Sequence, residues 1–288
     1  MIAADQLWPA PAKLNLMLHI TGRRADGYHN LQTVFQFLDY GDGLQFSLRA
    51  DGEIRRLSGN EQITPAQDLA LRAARLLQQH TTCPLGVDIA IDKRLPLGGG
   101  LGGGSSDAAT VLHALNRLWK LDMSSQQLAD LGLQLGADVP VFVHGFAAFA
   151  EGVGEQLTAI ELEQPWYLVI TPAISVSTAE IFADPELTRD SPPIKICDLF
   201  ASSWDNVCTE VAAARYPEIK QALDWLSGYG SARMSGSGAS VFAQFDSEVK
   251  AQKVRAEFSL SELGDWPAFV ARGCNQSPLL RYMNGAKF

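Results

Sequence analysis

Pro96-Leu97-Gly98-Gly99-Gly100-Leu101-Gly102-Gly103-Gly104-Ser105-Ser106-Asp107 is the stretch on which the reading of this chain turns. Nearly every side chain in it is absent or a hydroxyl. Such a loop can bring many backbone N–H groups against one anion, because no Cβ holds the ligand away. Before it, Val87, Ile89 and Ile91 alternate with Asp88, Ala90 and Asp92, the pattern of a half-buried strand. After it, Ala108, Val111, Leu112, Leu115, Leu118 and Trp119 recur at helical spacing. A Gly/Ser linker would need no such flanks. Strand, glycine loop and helix together predict a phosphate-binding loop, with the helix N-terminus adding free N–H groups and partial positive charge.

The chain has 288 residues, of which 47% are apolar, enough for one large domain or two ordinary ones. Its net charge of −9 argues against broad nucleic-acid or anionic-membrane binding, which calls for a basic face. A small phosphorylated ligand needs only local donors and stays open. Cys83, Cys197, Cys208 and Cys274 are scattered, with no zinc-like spacing, and fit reduced thiols in a cytoplasmic protein. No signal peptide and no membrane-spanning run are expected.

Along the chain, Lys13–Ile20 and Val34–Leu38 read as strands joined by a polar loop over 21–30. Leu69, Ala73, Leu76 and Leu77 mark an amphipathic helix. Ser124 and Gln127 form a capping box for another, and Gly136 stops it. Ala137-Asp138-Val139-Pro140 is a tight junction before the apolar run 141–143. The pattern restarts near Trp166, with a second Gly/Ser loop at Ser235-Gly236-Ser237-Gly238. Mixed strands and helices in both halves predict an α+β protein of two lobes, 1–162 and 163–282, with 283–288 as a disordered tail.

Three phosphate-loop chemistries separate on their residues. A P-loop needs Lys and then Ser or Thr after its last glycine, and Gly104 is followed by Ser105 and Ser106. The dinucleotide fingerprint is formally present as Gly98-x-Gly100-x-x-Gly103, but its acidic partner would be Asp122, between two helices. Protein-kinase triplets are absent. The remaining pattern resembles the GHMP kinases, which phosphorylate small-molecule hydroxyls with ATP. Three motifs match in order: Pro11-Ala12-Lys13-Leu14-Asn15-Leu16, the glycine loop, and Ser235-Gly236-Ser237-Gly238-Ala239. The resemblance covers the whole chain.

It implies a two-lobed fold, an N-terminal lobe like ribosomal S5 domain 2 and a ferredoxin-like C-terminal lobe, with the active site between them. It places ATP on Lys93, Pro96, Leu97, Gly98, Gly99, Gly100, Leu101, Gly102, Gly103, Gly104, Ser105 and Ser106. Asp138 is implied as general base, with Lys13 beside it, because a positive neighbour favours an ionised carboxylate. Mg²⁺ is expected to arrive with ATP and touch few protein groups. Ser106 and Asp107 are the nearest to it, and Asp107 is expected mainly to favour the helix N-terminus through its charge. The family often has Asn-Leu where this chain has Asp68-Leu69, which leaves the adenine contacts open.

Within the family, Arg24-Ala25-Asp26-Gly27-Tyr28-His29, Leu135–Phe142 and Phe149–Glu155 are similar to the branch that acts on 4-diphosphocytidyl-2-C-methyl-D-erythritol in isoprenoid precursor synthesis. That branch implies a cytosine sandwiched by Tyr28 and Phe182, with its edge read by His29 and Thr178 nearby. Asn15, two residues from Lys13 on a strand, shares its face and would hold the acceptor hydroxyl. The rivals are another small-molecule kinase of the same family and a non-catalytic sensor on the same fold. The partners expected are this small molecule alone, without nucleic acid or membrane, for a monomer or weak homodimer.

Overall fold

A long hairpin organises the chain in the computed structural model, which describes residues 6–285. β1 (Trp8–Arg23) and β2 (His29–Arg49) pair antiparallel along nearly all of β1. Both are almost continuously buried through their middles, as strands covered on two faces must be. The connecting loop is therefore shorter than the polar stretch 21–30 suggests. Arg24 N–H bonds to the Tyr28 carbonyl at 2.8 Å, and the Asp26 carboxylate accepts from Tyr28 N–H at 3.0 Å. Gly27, at φ +90°, makes the reversal possible.

In the N-terminal lobe, β2 pairs with β4 (Gly86–Asp92) and β5 (Ala148–Glu151). β3 (Ile54–Ser58) adds to β4 in parallel, and β6 (Gln156–Ala159) adds to β5. The helices are α1 (Leu69–Thr81), α2 (Gly103–Leu118), α3 (Ser125–Leu133) and α4 (Val139–His144). Ser124 and Gln127 cap α3 reciprocally, as their spacing predicts. α2 is buried from Ser106 through Leu115, so polar side chains in that span cannot be casual.

The C-terminal lobe is built on β7 (Trp166–Ile170), β8 (Arg233–Met234), β9 (Val241–Phe245) and β10 (Ala268–Cys274), all antiparallel where they pair. Around it lie α5 (Thr178–Ala183), α6 (Cys208–Arg215), α7 (Pro217–Ser227), α8 (Glu248–Ser259) and α9 (Pro278–Met283). α6 has no sharp apolar stripe, which is why the sequence pattern passes over it. β8 and β6 are too short to show a period.

The two lobes are not closed units. β10 pairs with β2 through Gly273–Leu38 and Cys274–Phe37, giving a strand order β3-β4-β2-β10-β7-β9-β8. A core shared by both lobes gathers Leu14, Val34, Leu101 and Phe149 with Tyr167, Val169, Phe242 and Phe269. α9 returns to the N-terminal lobe, where Leu279 is 2% exposed and Tyr282 meets Trp8 edge to face at 5.1 Å. The tail expected over 283–288 thus starts inside a packed helix, because the Leu279 side of α9 has apolar surface to cover. Residues 286–288 lie outside the described residues.

Phe242 is fully buried in the shared core, edge-on to Tyr167 at 5.7 Å. Phe242→Ala is expected to cost about 3–5 kcal/mol. Both lobes should lose it together, so urea unfolding followed by circular dichroism and by tryptophan fluorescence should shift as one transition.

Candidate active site

The glycine loop owes its shape to backbone freedom. Gly98, Gly100 and Gly102 have φ of +63°, +71° and +72°. A Cβ on Gly100 would stand 2.2 Å from the Ser235 carbonyl oxygen, so any larger residue would push the two lobes' loops apart. The loop's carbonyls are tied to the protein. Gly98 and Gly99 accept from the N–H groups of Ala239 and Ser240 at 3.3 and 3.1 Å. Gly100 accepts from Ser235 Oγ at 2.9 Å and from Lys13 Nζ at 3.0 Å. Leu101 and Gly102 accept from the N–H groups of Lys13 and Ser106 at 3.0 and 2.8 Å. Among the described residues, the N–H groups from Gly100 through Ser105 donate to no backbone carbonyl. Carbonyls turned in and amides left over make an anion nest at a helix N-terminus. Ser106 Oγ is also buried without a partner, the condition of a hydroxyl awaiting a polar ligand.

Lys13 sits beside this nest. It is 3% exposed, with Nζ 3.3 Å from Asp138 Oδ2. The ammonium also donates to Asn15 Oδ1, and lies 5.5 Å from the Phe35 ring centroid. A buried charge needs such partners. Asn15 is itself fixed: its Nδ2 donates to Thr33 Oγ1 at 2.8 Å, and its N–H donates to Ser235 Oγ at 3.1 Å. Asp138 occupies the N-cap position of α4, yet its side chain caps no helix N–H. Its carboxylate is left to Lys13 and to a cleft of about 800 Å³.

That cleft runs from Lys13, Asn15, Gly100, Gly102 and Asp138 to Tyr28, His29, Thr178 and Phe182. Tyr28 is 66% exposed. The rings of His29 and Phe182 lie 5.4 Å apart, tilted by 52°. Thr178 Oγ1 and Ser237 Oγ share a hydrogen bond of 2.8 Å. Burial, then the charges of Arg189 and Arg23, hold the His29 imidazole below its usual pKa.

A second cavity of about 170 Å³ takes Asp68, Lys93, Leu97, Gly104 and Asp107 into its lining. Asp68 is spent on structure. Its carboxylate caps α1 through Ala70 N–H at 2.9 Å and meets Arg56 Nη1 at 2.6 Å, so it has no amide to offer a base. Lys93 Nζ is held between Asp42 and Asp107, the latter at 2.7 Å. Burial opposes the Lys93 charge, but Asp107 and Asp42 raise its pKa above the usual value. Asp107 corrects its expected role. It lies beyond the first turn of α2, is 5% exposed and faces Lys93. Burial, working against Lys93, pushes its carboxyl above the usual carboxylate range.

The expected site residues thus divide. Lys13, Asn15, Tyr28, His29, Gly100, Gly102, Asp138, Thr178 and Phe182 meet in the large cleft; Lys93, Leu97 and Gly104 line the small one. Pro96, Gly98, Gly99, Gly103, Ser105 and Ser106 line neither. Leu101 lines neither cavity with its side chain, which is 1% exposed in the shared core, so only its backbone faces the nest. Sequence reasoning missed Thr33 and Phe35, whose alternation on β2 was visible, and Arg189, which nothing in the pattern of its loop marks. Among the described residues, no cluster of His, Cys, Asp and Glu is suited to hold a metal ion, and no helix is long and apolar enough to cross a membrane.

Comparison with known proteins follows the same lines. Residues 68–146 match the GHMP kinases N terminal domain, and residues 192–261 match the GHMP kinases C terminal domain. A 4-diphosphocytidyl-2-C-methyl-D-erythritol kinase of Nitrosococcus oceani is 57% identical over 274 residues, 95% of this chain and 96% of that protein. One of Ectopseudomonas mendocina is 55% identical over 278 residues, 96% of this chain and 94% of that protein. A crystal structure of 4-(cytidine 5'-diphospho)-2C-methyl-D-erythritol kinase superposes with TM-score 0.79 at 32% identity, covering 93% of this chain and 99% of its own. A mevalonate kinase structure, at 16% identity over 94% of this chain and 100% of its own, shares the fold with TM-score 0.69. With this identity running over nearly its whole length, the chain belongs to the GHMP kinases, ATP-dependent kinases of small molecules, and within them to the 4-diphosphocytidyl-2-C-methyl-D-erythritol kinase family.

Proposed function

We propose that this chain transfers the γ-phosphoryl group of ATP to the 2-hydroxyl of 4-diphosphocytidyl-2-C-methyl-D-erythritol. The observation that carries the reading is the Lys13–Asp138 pair, 3.3 Å apart, at one end of a cleft whose wall is the glycine loop. Its other end has the aromatic and imidazole groups that a cytosine needs.

The triphosphate lies along the amides from Gly100 to Ser105, with the adenine toward Leu97 and Gly104. Donors fixed in advance neutralise charge without reorganising during transfer. Asn15 holds the acceptor alcohol. Asp138 accepts its proton as the oxygen bonds to the γ-phosphorus, and the bond from phosphorus to the β-bridging oxygen breaks to release ADP. Lys13 steadies the carboxylate and the oxygens of the group in flight. Mg²⁺, when bound with ATP, supplies charge neutralisation at the phosphates; the orphan Ser106 hydroxyl suits it or a phosphate oxygen. Tyr28 and Phe182 flank the base, and His29 reads its edge. The free state of all four cysteines agrees with work in the cytoplasm.

Purified protein with ATP and Mg²⁺ should release ADP with the cytidyl substrate and not with homoserine, mevalonate or galactose. Equal turnover of any of those three would overturn the assignment. Asp138→Asn is expected to keep both ligands bound while turnover falls by at least about a hundredfold, the lower range for a general base; near-normal turnover would remove that role. Tyr28→Ala should weaken cytidyl binding by about 1–3 kcal/mol, the worth of one stacked base, as read by calorimetry.

A further inference from the structure

Arg189 stands outside the expected site, on the chain that leaves α5, and is half-buried. Its guanidinium makes bonds in two directions. Nη2 donates to the carbonyls of Phe182 and Asp184 at 2.8 and 2.7 Å, and Nη1 donates to that of Leu187 at 3.0 Å. Nε donates to His29 Nε2 at 3.3 Å. One side chain therefore grips the backbone of one wall of the cleft and the ring of the other.

The bond to His29 has a chemical consequence. A guanidinium has donors and no acceptor. His29 Nε2 must then present its lone pair, and a neutral ring carries its proton on Nδ1. No hydrogen bond from Nδ1 is made among the described residues. The imidazole lines the cleft, so this N–H is left for a ligand.

We propose that Arg189 is a positioning residue that fixes His29 as an Nδ1–H donor and, through the Phe182 carbonyl, holds the Phe182 ring beside it. This rests on the reading of Tyr28, His29 and Phe182 as a base subsite. It adds a rule for which base is taken. Cytosine offers a bare ring nitrogen, N3, and the O2 oxygen as acceptors. Uracil carries a proton on N3, which would face the Nδ1–H proton. The opposite tautomer would present a bare nitrogen and invert the preference. Arg189, which need not touch the substrate, would thus set selection of cytosine over uracil.

Histidine ¹⁵N spectra test the tautomer without any substrate, with His29→Gln used to assign the signal. In the unaltered protein His29 should show a protonated Nδ1 and a bare Nε2. In Arg189→Met it should shift toward Nε2–H, the form free imidazole prefers. The KM for the cytidyl substrate should then rise by about tenfold, the worth of one good hydrogen bond, with kcat and the KM for ATP unchanged. Preference over the uridyl analogue should fall by a similar factor. Arg189→Lys, which keeps one donor to Nε2, should restore the tautomer and part of the preference. An unchanged tautomer in Arg189→Met overturns the proposal. So does a changed tautomer with an unchanged cytidyl KM, or an equal loss of affinity for ATP. If the unaltered protein does not turn over the cytidyl substrate, the base-subsite reading fails, while the spectra still judge the Arg189–His29 bond.

Discussion

An ammonium kept at 3% exposure must find oxygen on several sides or lose its charge. Lys13 finds it on three separate pieces of the fold: Asn15 on its own strand, Gly100 on the glycine loop, and Asp138 at the head of α4. Those pieces are far apart in sequence, and each is held by a further anchor. Asn15 leans on Thr33 of β2, and Gly100 is bonded by Ser235 of the other lobe. The position of the charge and the join between the lobes are thus one problem with one solution. A shift of the glycine loop would strand the lysine, and a shift of the lysine would free the loop.

The same economy explains the third family motif. Ser235 through Ser240 lies in the C-terminal lobe, yet its polar atoms engage loop carbonyls of the N-terminal one. Every carbonyl satisfied in this way is one fewer acceptor facing the nest, and the amides that remain give it a single sign. A glycine run left to itself is conformationally loose. Here a second lobe holds it in one shape, and the shared core beneath, with Leu101 inside it, keeps that lobe from drifting.

Much of this was legible in the chain. The flanking periods placed the strand before the loop and the helix after it, because burial on one face leaves a countable pattern. The three motifs, taken in order, gave the family and with it the pairing of Lys13 with Asp138, which no local pattern contains. Other features were silent for physical reasons. The inward-facing Leu101 looks like any loop residue until the second lobe covers it. α9 left no mark in the pattern because six residues cannot show an amphipathic period, and its partner Trp8 lies at the far end of the sequence, so the tail expected from 283 begins on its last residue. Asp107 was read by its nearness to a helix end, whereas its surroundings come from Lys93 and from Asp42 on β2.

Two of those last residues, Lys93 and Asp107, line the smaller cavity. Lys93 Nζ would stand 3.2 Å from a Cβ placed on Gly103, and Lys13 Cε 3.2 Å from one placed on Gly102, so both lysines lie against the loop. Lys13 faces the large cleft and Lys93 the small one. Lys13 is held by Asp138, Asn15 and the Gly100 carbonyl, and Lys93 by Asp42 and Asp107. The loop between them carries no charged side chain of its own before Asp107. A linear polyanion bound there would have its attraction supplied by amides along its length, with fixed cations at either end. On the proposed reading, that arrangement would set position along the chain of phosphates as well as affinity, because a triphosphate displaced by one phosphate would lose Lys13 while keeping most of its amide contacts.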